Sequence, residues 1–133
     1  MATEIRRPYD VCTAMVKLLK YYILDVPVST SLPPLWKAEN GRPHIVVSHG
    51  GYIEAKRSHD VQHLNVAVYS NERPRAFNLL GRVNGILDVL SAVGCGMRIE
   101  RISNLNVVHS DISAGFVAGG TFAVTTTKQT ERL

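Results

Sequence analysis

Pro43-His44-Ile45-Val46-Val47-Ser48-His49-Gly50-Gly51 opens the most informative part of the chain, residues 43–94. The part reads as an apolar strand, paired glycines, an alternating strand and then a helix begun by a proline. His44-Ile45-Val46-Val47-Ser48 is dominated by β-branched residues and reads as a central strand. Gly50-Gly51 breaks it with a tight backbone bend, and residues 52–59, with Glu54, Lys56 and Arg57, form a polar connection or a long hairpin arm. In residues 60–70, Leu64, Val66 and Val68 face one way while His63, Asn65, Ala67 and Tyr69 face the other, the period of a half-buried strand. Asn71 suits an N-cap and Pro74 the first helical turn. From there Ala76, Leu79, Leu80, Val83, Ile86, Leu87 and Leu90 draw a wide apolar stripe through a helix over 74–93, which Gly94-Cys95-Gly96 stops.

Upstream, Pro8, Asp10 and the recurrence of Val11, Ala14, Met15, Leu18 and Tyr22 predict an amphipathic helix over 9–24. Pro27 forces Val26 out of the helical region, so 26–30 is a short first strand or an extended lead-in. Residues 31–43, with Pro33-Pro34, Asn40-Gly41 and Pro43, read as a surface loop turning at Asn40-Gly41. Trp36, the single tryptophan, sits inside it and either folds back on the core edge or contacts another chain. Downstream, 97–107 alternates imperfectly as a strand, 110–115 is a loop, and 116–127 is a last strand. On that strand Phe122, Val124 and Thr126 oppose Thr121, Ala123, Thr125 and Thr127. The fold class is α+β: an antiparallel or mixed sheet of four to five strands with two helices packed on one face, in the order α-β-β-α-β-β. One face of the sheet and its edges are then left to be covered or shared.

The 133 residues suit a single domain, with 1–7 and 129–133 expected as flexible tails. Fifteen basic residues are scattered among eleven acidic ones for a net charge of +4, a mild bias toward polyanionic surroundings and no concentrated nucleic-acid patch. No stretch reaches the roughly 20 apolar residues of a membrane span, and the N-terminus lacks a secretory cleavage region, so a soluble protein made in a cytoplasm is expected. Cys12 and Cys95 have neither metal-ligand spacing nor a disulfide framework.

The sequence offers no catalytic constellation. His59 and His63 would share a helix face, but on a strand their four steps separate them by about 13 Å, too far to ligate one ion. His44, His49 and His109 have no nucleophile turn or oxyanion loop near Cys12 or Cys95. Gly94-Cys95-Gly96 follows a helix and Gly50-Gly51 opens none, so neither cradles a phosphate. Glu54, Asp60, Glu100 and Asp111 are isolated along the chain. No catalytic, cofactor or metal residue is assigned.

Taken together, the helix over 9–24, Val26-Pro27-Val28-Ser29-Thr30, the proline-rich loop, Pro43-His44-Ile45-Val46-Val47 before Gly50-Gly51, the strand through Val66-Ala67-Val68-Tyr69-Ser70, and Arg75-Ala76-Phe77-Asn78-Leu79-Leu80 resemble the tail terminator proteins of long-tailed, siphovirus-type bacteriophages. The likeness spans residues 9–128 and lies in patterns, not invariant signatures. Many of those proteins carry an arginine before the paired glycines; His49 stands there here, so no arginine contact is carried over.

The resemblance implies a virion protein made in the bacterial host cytoplasm, without enzymatic activity or cofactor. Its subunits form a homo-oligomer, a hexameric ring at the head-proximal end of the tail tube. The ring stops tube polymerisation and provides the head-tail joining surface. Its partners are the tail tube protein and a head-side neck protein, with genomic DNA passing through the lumen and no membrane involved. Candidate interface residues are Trp36, Tyr52, Lys56, Arg57, Arg73 and Asp111. A different neck component, a head-closure or head-tail connector protein, and a basic α/β nucleic-acid-binding module are the alternatives.

Overall fold

The structure is a computed structural model and describes residues 3–33, 36, 42–93, 96–110 and 115–132. The expected turn at Asn40-Gly41, the helix stop at Gly94-Cys95 and the candidate Asp111 lie outside the described residues.

The elements run β1 (Glu4–Arg7), α1 (Val11–Tyr22), β2 (Val28–Ser29), β3 (His44–Ala55), β4 (His59–Ser70), α2 (Arg73–Val93), β5 (Arg98–Arg101), β6 (Asn106–Ser110), β7 (Gly115–Thr127) and β8 (Gln129–Arg132). The spine is β4. Its even-numbered residues, Asp60 through Ser70, are all buried, as the alternation of apolar and polar residues leads one to expect. It pairs antiparallel with β3 on one side and with β7 on the other, from His59 opposite Thr127 to Ser70 opposite Phe116. The sheet order is β2-β3-β4-β7-β5, with β6 also on the outer edge of β7. Only β2 runs parallel to its neighbour, so the sheet is mixed.

Both helices feed one core. Val11, Met15 and Leu19 of α1 and Ala76, Leu80, Val83 and Leu87 of α2 are fully buried with Ile45, Val47, Leu64, Val66, Val68, Phe122 and Val124 from one face of the sheet. At about 1.5–3 kcal/mol for each fully buried large aliphatic side chain, this shared core dominates the stability of the fold. The two-helix, mixed-sheet expectation therefore matches what is observed.

Several details differ from the sequence reading, each for a local reason. The buried stripe of α1 is rotated by about one position: Leu19 and Ile23 are buried, Ala14 and Leu18 only flank the core, and Tyr22 is exposed. Asp10 caps this helix, accepting from the Thr13 N–H at 3.2 Å and the Thr13 hydroxyl at 2.8 Å, which holds its carboxyl below the usual carboxylate value. The first hydrogen bond of α2 runs from the Ala76 N–H to the Glu72 carbonyl, so the helix begins after Glu72 and not after Asn71.

Among the described residues the main sheet has six strands, where four to five were expected. The lead-in at 26–30 supplies the two-residue β2, and the single strand expected over 97–107 is divided into β5 and β6. Arg101 lies opposite Phe122 and Asn106 opposite Gly119, so four residues, 102–105, face only Gly120 and Thr121. The Ser103 hydroxyl fills the gap in the ladder, accepting the Thr121 N–H at 2.8 Å, and the Ile102 N–H donates to the Thr121 carbonyl at 2.9 Å.

Gly50-Gly51 bends β3 without ending it. His49 faces Leu64 and Ile53 faces Gln62, so residues 50–52 bulge opposite His63 alone and the strand continues to Ala55. Residues 4–7 and 129–132 pair antiparallel as a ribbon, β1 against β8, joined by an Arg7–Glu131 ion pair at 2.8 Å.

Candidate functional site

The sheet has two unlike faces. The inner one is closed by the helices. The outer one presents His63, Asn65, Ala67 and Tyr69 from β4 beside Thr121, Ala123 and Thr125 from β7. Near its middle the Thr121 hydroxyl donates to the Asn65 side-chain carbonyl at 2.9 Å. Beside this pair lies a shallow depression of about 360 Å³ whose lining includes Asn65, Ser103, Asn104, Asn106 and Thr121. Its lining holds amides and hydroxyls but no ionisable side chain, so it can exchange hydrogen bonds with a surface and has no group for proton transfer.

At one end of this face, Tyr52, Glu54 and Lys56 follow one another at alternate positions near the end of the β3–β4 hairpin. The Tyr52 ring stacks on His63 with centroids 4.3 Å apart, and its hydroxyl donates to Glu54 Oε2 at 2.9 Å. Lys56 Nζ lies 3.3 Å from Glu54 Oε1. The hydrogen bond from Tyr52, then that from Lys56 and the Lys56 charge, pull the Glu54 carboxyl below its ordinary value, while the bond to Glu54 raises the Tyr52 phenol. Only residues 56–58 lie outside the strands, closed by the Lys56 N–H donating to the His59 carbonyl at 2.9 Å. Of the two readings of 52–59, a polar connection or a long hairpin arm, the second matches: β3 continues to Ala55 against β4 and only a short turn follows. Both cations of the turn are exposed, Lys56 paired with Glu54 and Arg57 at the tip.

The opposite end gathers Trp36 and Arg73. Trp36 folds back on the outer face, its ring edge-on to Tyr69 at 5.7 Å and its indole N–H donating to the Arg42 carbonyl at 2.8 Å. Arg73 is exposed as the first residue of α2. Nearby, an open cleft of about 630 Å³ is lined by charged groups, Asp25, Glu72, Arg75 and Arg82 among them, with Arg82 3.3 Å from Asp25. The candidate residues therefore divide: Lys56 and Arg57 lie in the turn before β4 and Tyr52 on His63, while Trp36 packs on Tyr69, six residues or about 20 Å further along β4, and Arg73 follows the end of that strand. They do not converge on one site.

The helix side carries apolar surface that sequence reasoning missed. Leu24 is 87% exposed, as are, to a lesser degree, Tyr21 and Tyr22 at the end of α1, and Val89 of α2 is 61% exposed. Tyr22, Ile86, Val89 and Leu90 line a groove of about 400 Å³. The signal available in the sequence was the surplus of apolar residues at 21–24 over what one helical stripe can bury.

The Cys12 thiol donates to the Val47 carbonyl at 3.4 Å, and burial pushes it above its ordinary value, which opposes thiolate formation. Among the described residues, no three His, Cys, Asp or Glu side chains are grouped to hold a metal ion, and no helix is long and apolar enough to cross a membrane. No family model matches the chain, and no curated protein is significantly similar to it in sequence.

Proposed function

We propose that this protein is a structural virion component, a tail terminator. It assembles as a ring, hexameric by the resemblance, on the head-proximal end of a phage tail tube. There it ends tube polymerisation and offers the surface that the head-side neck protein joins. It acts without catalysis or cofactor, is made in the bacterial host cytoplasm, and leaves a lumen for genomic DNA.

The observation that carries this reading is the division of the surface. A terminating ring needs two unlike axial surfaces, one fitting the last tube ring and one refusing another tube subunit. In this protomer, the hairpin end with Arg57 and the Trp36–Arg73 end stand at opposite limits of one sheet. Lateral closure has its own means: the two-residue β2 and the interrupted β5–β6 strand are short sheet edges, and the exposed Leu24 and Val89 add apolar surface of the kind buried between subunits.

The test is electron microscopy of tails assembled with and without the protein. Tubes of uniform length with an added ring in its presence, and overlong or uncapped tubes in its absence, are expected. Tubes of the same length and end structure in both preparations would overturn the reading. Recovery of the protein on tailless heads instead of headless tails would assign it to the head-closure position.

A further inference from the structure

The helix-facing side of β4 is apolar except at its ends, and its first two inward side chains are both polar. Asp60 is 0% exposed and Gln62 4%. Each reaches a different terminus of the chain. Gln62 Nε2 donates to the Tyr9 carbonyl at 2.7 Å, two residues beyond the end of β1. Lys128, the single residue between β7 and β8, donates from Nζ to Asp60 Oδ1 at 2.5 Å, with only 13% of its side chain exposed. Beyond these two roots, all eight residues of β1 and β8 are exposed. A two-stranded ribbon without further packing is marginally stable in water, so its order depends on what holds its roots.

We propose that Asp60 and Gln62 form a clamp that grips both roots of the terminal ribbon and fixes its orientation on the body, Asp60 through Lys128 and Gln62 through the Tyr9 carbonyl. The pair is buried yet not saturated. Asp60 Oδ2 has no hydrogen-bond partner among the described residues, nor has the hydroxyl of Thr126, which faces Asp60 across the β4–β7 ladder. A buried ion pair pays a desolvation cost that its attraction offsets only when the remaining lone pairs are satisfied. Opening the clamp returns Lys128 to water but leaves the Asp60 carboxylate buried and unpaired, so even an incompletely satisfied pair holds the root of β8 closed on the body. The long separation along the chain, 68 residues between Asp60 and Lys128 and 53 between Tyr9 and Gln62, makes the clamp a property of the folded protomer alone. The device is independent of ring formation.

Hydrogen exchange on the full chain tests it, comparing wild type with Lys128→Met, Gln62→Leu and the double variant Asp60→Asn/Lys128→Met. The ribbon amides, residues 4–7 and 129–132, are expected to exchange at least tenfold faster in each variant, while the amides of residues 64–68 in the centre of β4 keep their protection. The double variant removes both charges together, so it separates loss of the clamp from the effect of stranding one buried charge. Should Lys128→Met fail to fold, Gln62→Leu decides. Unchanged ribbon exchange overturns the proposal, as do ribbon amides already unprotected in the wild type or a uniform acceleration across the whole chain. The measurement needs no tail or tube, so its outcome is separate from that of the assembly test.

Discussion

At His44 a single buried imidazole couples stability to pH. Its Nε2 lies 2.7 Å from the Ser29 hydroxyl oxygen, and that hydroxyl donates to the Ser31 carbonyl at 2.6 Å. With the hydroxyl proton so committed, Ser29 accepts, and His44 carries its hydrogen on Nε2. Burial pushes the imidazole below its ordinary value of 6.5, because the charged form is the one that desolvation disfavours. The unfolded chain therefore takes up a proton before the folded one does, and stability is lost as pH falls below about 6.5 toward the lower folded value. Thermal unfolding between pH 7.5 and 5 is expected to show this decline in the wild type and a flatter profile in His44→Gln, which keeps a donor for Ser29; parallel profiles would count against it. Asp10 and Glu54, whose carboxyls are held low, contribute in a more acid window, where protonation breaks their hydrogen bonds.

Strand β3 shows how one element answers to both sequence and surroundings. Its paired glycines are required for two different reasons. A Cβ on Gly50 would stand 3.0 Å from the Cβ and the carbonyl oxygen of His63, and Gly51 has φ +77°, the left-handed region that L side chains avoid at a cost of about 1–2 kcal/mol. Gly51→Ala is expected to lower stability by about 1–2 kcal/mol, seen as a lower urea midpoint at constant slope; an unshifted midpoint would mean that the bulge does not hold this backbone. The bulge has a structural product, since it brings Tyr52 over His63 and so orders the Tyr52–Glu54–Lys56 row at the hairpin end. The interruption between β5 and β6 is a second case, where Ser103 substitutes for a missing ladder partner. Both irregularities lie in strands that form an outer part of the sheet for some of their length, where a displaced residue has room.

For the molecule as a whole, the proposed role depends on the hairpin end and the Trp36–Arg73 end meeting different partners. Replacing Lys56 and Arg57 by glutamate removes two cations from the turn and sets a carboxylate beside Glu54. This pair of changes is expected to abolish tail capping or DNA passage, with phage yield falling at least tenfold, while the circular dichroism and melting temperature of the isolated protein stay within a few degrees of wild type. Undiminished yield would remove the hairpin from the functional surface. The surface location explains the expected tolerance of the fold, because exposed charges in a turn contribute little to stability.

The sequence alone determined β4, both helices and the class of the fold, because alternation and helical spacing are local records of which side chains leave water. Residues such as Leu64, Val66, Leu80 and Val83 announce their burial to any reader of the pattern. It also contained the paired glycines, but only as a bend. The tertiary structure decided the rest: the continuation of β3 past Gly51, the division of 97–107 into β5 and β6, the pairing of the two termini, and the separation of the candidate contacts to two ends. It also decided that Asp60, isolated in sequence, is buried against Lys128. Register and pairing depend on which distant segments the core brings together, and a segment such as 129–132 acquires strand structure only from its partner at 4–7.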